Sequence, residues 1–203
     1  MRIFTEHDLD ELASELRRGR VAVIPTDTVY GLAAVPSDHE AIDAIYRLKG
    51  RPAEMPLPVL AADLDDVLSL LGQLPPAAVT LARAFWPGAL TLVVPAPDAL
   101  AQAVGSPDGT VGVRVPALGV ARRLLARSGP LAVTSANRHG EPPCQSPAEA
   151  QATFIDGPEP FGVLDGGPSS EVPSSVVKIT EEGIEILRHG AVPEAEIRTA
   201  LDA

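Results

Sequence analysis

Short apolar runs alternate with helical spacings along this chain. Residues 21–24, 56–61, 89–94, 110–116 and 131–135 are apolar stretches bounded by Pro, Gly or polar clusters, the pattern of buried strands. Residues 161–164, 174–179 and 184–188 read as further strands, the last two neighbours joined through Glu181-Glu182-Gly183. Between them the spacing becomes helical. Leu9, Leu12, Ala13 and Leu16 form one apolar stripe, opened by Thr5 and Asp8 and ended by Gly19. Ala41, Ile42, Ile45 and Leu48 form another, opened by the capping-box spacing Ser37–Glu40. Residues 64–71, 76–85, 118–126, 147–154 and 193–203 complete the helices. Residues 97–109 read as a polar surface loop, 138–146 as a Pro-rich loop and candidate lid, and 165–168 as a sharp turn. Interleaved strands and helices predict an α/β fold. No linker-like run divides the chain, so residues 1–203 are expected to form a single domain.

Composition refines this picture. Apolar residues make up 45% of the chain, enough for a core, but aromatics are 3%, so Ala, Val, Leu and Ile must build it. The 21 prolines and 17 glycines sit mostly at element boundaries, as in a loop-rich enzyme rather than a disordered chain. The net charge of −11 argues against a surface that holds duplex nucleic acid by neutralising phosphates. The single cysteine, Cys144, excludes an internal disulfide and a multi-cysteine metal site. No secretory h-region and no membrane-length apolar run stand out, so a cytoplasmic protein is expected.

Polar chemistry gathers where strands end. The run 21–24 stops at Pro25, and Thr26, Asp27, Thr28 and Tyr30 follow before Gly31 lets the chain turn. The helix after it ends in Lys49-Gly50-Arg51-Pro52, two cations around one glycine. Each piece alone has an ordinary explanation, turn chemistry for the first and dipole complementarity for the second. Together with Thr110, Arg114, Ser135, Asn137, Ser174 and Arg188 at other strand ends, they describe a site for an anion with several oxygens. There is no Gly-x-x-x-x-Gly-Lys-Ser/Thr loop, so a nucleotide would not be held in the P-loop manner. The four histidines stand apart, and no cluster suggests a metal cage built by protein. A Mg²⁺ held mainly by substrate phosphates and water needs few protein ligands.

PTDTVYGL followed by KGRP, then WPGALTLVV, GVRVP, TSAN, SSVV and ILRHGAV, resembles in order the signatures of the YrdC-like threonylcarbamoyl-AMP synthases, over residues 21–192. The resemblance implies a twisted, open, mixed β-sheet flanked by helices (YrdC/RibB-like), in the short form without a C-terminal extension. It implies a nucleotidyltransferase that makes threonylcarbamoyl-AMP and pyrophosphate from L-threonine, bicarbonate and ATP. That is the first step of threonylcarbamoyladenosine formation on transfer RNA, with a separate downstream threonylcarbamoyl transferase complex and at most weak direct RNA binding. Lys49 and Arg51 match catalytic positions. Arg51, Thr110, Ser135, Asn137, Pro143 and Arg188 match ATP-binding positions, and Thr28, Arg114 and Ser174 match threonine-binding ones. Mg²⁺ would arrive on the ATP phosphates.

The chain departs from the family pattern at Met55, Leu60, His139-Gly140 and Lys178, the last where an Asp is common. These departures bear on amino-acid choice more than on nucleotide binding. The competing readings are a YrdC-like nucleotide- or RNA-binding module without synthase activity, and a carbamoyl-transfer domain of the hydrogenase-maturation kind. Arg51 separates an active claw from a mere helix-end charge. Arg51→Ala should lower kcat for pyrophosphate release by about 100-fold or more while the thermal melt stays near wild type. Near wild-type turnover would reduce Arg51 to a dipole partner.

Overall fold

The structure is a computed structural model and describes residues 1–50, 55–155, 157–170 and 172–202. Its strands are β1 (Arg2–Phe4), β2 (Ala22–Ile24), β3 (Gly31–Ala34), β4 (Val59–Leu60), β5 (Leu90–Pro95), β6 (Thr110–Arg114), β7 (Leu131–Ser135), β8 (Gly162–Leu164), β9 (Ser175–Thr180) and β10 (Gly183–Arg188). Its helices are α1 (Leu9–Arg17), α2 (His39–Lys49), α3 (Leu64–Leu71), α4 (Pro76–Phe85), α5 (Asp98–Ala103), α6 (Gly119–Ser128), α7 (Pro147–Thr153) and α8 (Glu194–Leu201). All these strands join one ten-stranded sheet in the order β1-β8-β2-β3-β7-β4-β6-β5-β9-β10. The sheet is mixed: β1/β8, β2/β8, β4/β6 and β5/β9 are parallel, the other pairs antiparallel.

The period-two alternation of each strand sorts its residues onto two faces. On one face Val23, Leu32, Leu90, Leu92, Val111, Val113 and Val177 join Ile42, Ile45, Val67, Leu81 and Ile197 from the helices in one continuous core. On the other, Ala22, Ile24, Ala33, Leu131, Val133 and Leu164 pack with Leu12 and Leu16 of α1 and Leu124 and Leu125 of α6. Arg123 and Arg127 of α6 pair with Glu6 and Asp10, so that helix's wet side also ties it to the first helical segment. On this second face Thr91 and Val93 of β5, Gly112 of β6 and Val176 and Lys178 of β9 line an open cleft instead of joining that core. Among the described residues no helix is long and apolar enough to cross a membrane.

Four elements differ from the sequence reading. Gly31 starts β3 rather than turning the chain; it pairs with Ser135, and a Cβ there would meet Val133 Cγ1 at 2.5 Å and the Thr134 carbonyl oxygen at 3.0 Å. Only a glycine allows so close an approach to β7. Helix α2 starts one residue later than the Ser37–Glu40 box implies, because the Asp38 carboxylate caps it, accepting the Ala41 N–H at 3.0 Å. The polar loop 97–109 contains α5, and the chain start adds β1 at a sheet edge. Trp86 is half-buried and donates its indole N–H to the Leu90 carbonyl at 2.7 Å, a bond that ties the end of α4 to the start of β5.

Gly190 explains part of the ILRHGAV signature. Its Cα faces the backbone of Pro173, Ser174 and Ser175 with no room for a Cβ. The Ser175 hydroxyl also donates to the Val192 carbonyl at 2.6 Å and accepts the Val192 N–H at 3.1 Å. Gly190→Ala is therefore expected to force two backbones apart and lower the melting temperature by roughly 5 °C or more, read by thermal unfolding. An unchanged melt would mean that this contact relaxes at no cost.

Candidate active site

One cleft of about 770 Å³ opens on the uncovered sheet face, a volume suited to a small ligand. Thr28, Lys49, Thr110, Ser135, Asn137, Pro143, Ser174 and Arg188 all line it, although they come from both ends of the chain. Arg114 lies behind Thr28, and Arg51 falls outside the described residues.

The turn after β2 is organised by Thr26. Its hydroxyl accepts the N–H groups of Thr28 and Val29, both at 3.1 Å, and donates to the Val29 carbonyl at 2.7 Å. This presents Thr28 to the cleft. Arg114, at the end of β6, fixes Thr28 from behind: Nη1 donates to Thr28 Oγ1 at 2.8 Å, Nη2 to Asp27 Oδ1 at 2.6 Å and Nε to the Gly88 carbonyl at 2.8 Å. Arg114 is 4% exposed. Burial pulls its pKa down and the Asp27 carboxylate opposes this.

The Lys49 ammonium is not a free claw. It is 4% exposed and donates to Ser135 O at 2.5 Å, Asn137 O at 3.1 Å and Asn137 Oδ1 at 2.7 Å. Asn137 Oδ1 also accepts the Ser135 hydroxyl at 2.6 Å, while its amide donates to the Glu141 carbonyl at 2.6 Å. The C-terminus of α2 is thus bound to the end of β7. The loop 138–146 is tied at both ends: His139 N–H donates to Lys49 O at 2.8 Å, and Cys144 bonds Ala136 and Tyr30 through its backbone. Cys144 itself is buried beside Thr153, and burial raises its thiol pKa.

On the opposite wall, Arg188 donates through Nε to Ser174 O and through Nη2 to Ser174 Oγ, both at 3.0 Å, and Thr91 Oγ1 lies 2.9 Å from that hydroxyl. Arg188 is exposed to the cleft, and its remaining N–H groups suit an incoming oxyanion. Sequence reasoning missed Thr91, Ser106 and Asp108 as cleft residues. The alternation in Leu90-Thr91-Leu92 could have found Thr91, which sits opposite the two buried leucines. Among the described residues no three His, Cys, Asp or Glu side chains come together as metal ligands.

Residues 14–190 match the Sua5–YciO–YrdC family, described as telomere recombination. The chain is 39% identical over 196 residues to the threonylcarbamoyl-AMP synthase of Bacillus subtilis (strain 168), covering 94% of this chain and 56% of that protein. It is 42% identical over 193 residues to the putative threonylcarbamoyl-AMP synthase of Mycobacterium leprae (strain TN), covering 92% and 84% respectively. The crystal structure of P. abyssi Sua5 complexed with L-threonine superposes with a TM-score of 0.91 at 33% identity, over 98% of this chain and 61% of that one. The chain thus spans less than two thirds of two of these relatives.

Lys49 separates a structural from a purely electrostatic cation. Lys49→Met removes a buried donor shared by Ser135 O, Asn137 O and Asn137 Oδ1 and should destabilise the fold by about 1–3 kcal/mol, seen as a lower melting temperature. A shift within about 1 kcal/mol in the stabilising direction would mark it as a costly buried charge kept for the ligand alone.

Proposed function

The chain belongs to the Sua5–YciO–YrdC family, and from this premise we propose that its cleft makes threonylcarbamoyl-AMP. One observation carries the reading: residues far apart in sequence that match the family's ATP and threonine positions converge on one cavity. The ten strands share one sheet, which supports treating residues 1–203 as one domain.

In the proposed reaction the neutral threonine amine forms an N–C bond with CO₂, as one C=O π bond opens and nitrogen gives up a proton, or with bicarbonate, whose C–O bond breaks so that hydroxide leaves with that proton as water. An oxygen of the resulting carbamate then attacks the α-phosphorus of ATP. A new P–O bond forms, the bond from the α-phosphorus to the bridging oxygen breaks, and pyrophosphate leaves. Anion attacks anion, so positioning and charge neutralisation carry most of the rate. Thr28 and Ser174 face threonine, and Arg114 acts on it through the Thr28 it holds, adding positive charge for the carboxylate. Lys49 and Arg51 neutralise charge on the reacting groups, with Thr110, Ser135, Asn137, Pro143 and Arg188 around the nucleotide.

Mg²⁺ would supply further neutralisation on the triphosphate. The donors here fit an ion carried by the nucleotide: Asp108 is the one carboxylate among the described lining residues, and it is already engaged by Lys178, Ser106 and Thr110. We place the enzyme in the cytoplasm, passing its adenylate to a separate transferase that carries the group to transfer RNA. The net charge of −11 supports weak, salt-sensitive RNA binding and weighs against the RNA-module reading.

The test is incubation with ATP, Mg²⁺, bicarbonate and L-threonine, following pyrophosphate and the adenylate. Release is expected to need both threonine and bicarbonate; equal release without threonine would indicate a nucleotide hydrolase. Threonine should exceed serine, and serine valine, in kcat/KM, because a site that bonds a substrate hydroxyl rejects an analogue lacking it. Thr28→Val should narrow the threonine-to-valine gap with the KM for ATP nearly unchanged. Valine matching threonine in the unmodified protein would remove Thr28 and Ser174 from the substrate hydroxyl.

A further inference from the structure

The wall of the cleft built by β6, β9 and the segment before β6 holds a charged cluster of which the proposed reaction uses only Thr110. Asp108 Oδ1 accepts two hydroxyls, Ser106 Oγ at 2.9 Å and Thr110 Oγ1 at 2.7 Å, while Oδ2 accepts Lys178 Nζ at 2.8 Å. All four residues line the cleft. A hydroxyl has one proton to give. Both hydroxyls have given theirs to the carboxylate, so only lone pairs remain to face a ligand. The three donors hold the Asp108 carboxyl well below the usual carboxylate range, so it remains ionised at neutral pH. Lys178, where the family pattern has Asp, neutralises this carboxylate instead of adding a free positive charge.

Such a wall repels phosphate, whose oxygens are acceptors. The Ser135 end differs: there the hydroxyl donates to the neutral Asn137 amide, which Lys49 also serves, so a phosphate could take over that proton without uncovering a charge. Beside the Asp108 cluster, Val93 of β5 pairs with Gly112 of β6 and with Lys178 of β9, and Val176 and Leu187 line the same cleft from β9 and β10, an apolar floor for a flat ring.

We propose that Asp108 is a positioning residue that fixes Ser106 and Thr110 as hydrogen-bond acceptors. This end of the cleft thereby selects the donor-bearing part of a purine nucleoside, its exocyclic amine or its ribose hydroxyls. The inference rests on the reading that ATP is the nucleotide, and it assigns the phosphates to the opposite end, towards Lys49 and Ser135.

The test measures equilibrium binding by titration calorimetry, so it does not depend on turnover. The probes are ATP, inosine triphosphate (6-oxo in place of the amine), and 2′-deoxy- and 3′-deoxy-adenosine triphosphate. In the unmodified protein at least one analogue should bind about tenfold or more weakly than ATP, because its missing donor leaves an acceptor unpaired. A loss with inosine triphosphate assigns the cluster to the base; a loss with a deoxy analogue assigns it to the ribose. In Asp108→Ala the freed hydroxyls can turn and donate, so the discrimination should shrink at least fivefold. Asp108→Asn combined with Lys178→Met, in which no ammonium faces the amide nitrogen and Oδ1 still accepts both hydroxyls, should keep it. Equal binding of all four nucleotides, an unchanged ratio in Asp108→Ala, or a collapse in that double variant as complete as in Asp108→Ala would overturn the proposal. Selective nucleotide binding without threonine-dependent pyrophosphate release would instead defeat the synthase reading and leave this one standing.

Discussion

The guanidinium of Arg114 bonds the Asp27 carboxylate, the Thr28 hydroxyl and the Gly88 carbonyl in the interior behind the cleft. It joins the turn after β2 to the end of β6 and the chain entering the neighbouring β5, across the β3, β7 and β4 strands that lie between. Asp27 Oδ1 additionally accepts the Ala117 N–H at 2.9 Å, so the oxygen that holds the guanidinium is itself held by the backbone after β6. A buried ion pair adds little net stability, since desolvation offsets the attraction, but removing one partner costs about 3–5 kcal/mol. Its value here is geometric. The fork sets where Thr28 stands relative to β5 and β6, and the two sheet halves must assemble in one arrangement for it to close.

The cleft also reconciles an acidic protein with the anionic substrates proposed for it. The chain as a whole carries −11 charges, yet the described lining contains Lys49, Lys178 and Arg188 against Asp108 alone. Low-dielectric walls from Leu57, Leu60, Val93 and Val133 keep those fields from being screened. Charge is therefore focused inside the cleft, while the protein as a whole is acidic.

The core strands were legible because apolar runs of Val, Leu and Ile, bounded by Pro and Gly, have one way to be buried. β3 was not, because Gly-Leu-Ala-Ala has no strand propensity of its own; its place between β2 and β7 imposes the conformation. β1 has three residues with only Phe4 buried, too short for a period to show. α5 has six, below the length at which helical spacing repeats. In the site, the hydroxyls and cations were legible as residue types at strand ends. Their partners were not: Lys49 meets Asn137, Arg114 meets Thr28 and Lys178 meets Asp108 across long stretches of chain, and no local pattern encodes those encounters.

Strand β5 occupies the interior of the sheet only because the β9–β10 hairpin, near the C-terminus, lies alongside it. Until that hairpin arrives, the apolar Leu90–Val94 segment is an open edge, with Pro95 to discourage pairing at one end. On the ribosome the chain emerges from its N-terminus, so Thr28 and Lys49 are available long before Ser174 and Arg188. Once Ser135 and Asn137 have emerged to hold Lys49, the nascent protein carries one wall of its cleft beside an unprotected strand edge, until the β9–β10 hairpin follows. The docking event that covers that edge is the same one that completes the cleft.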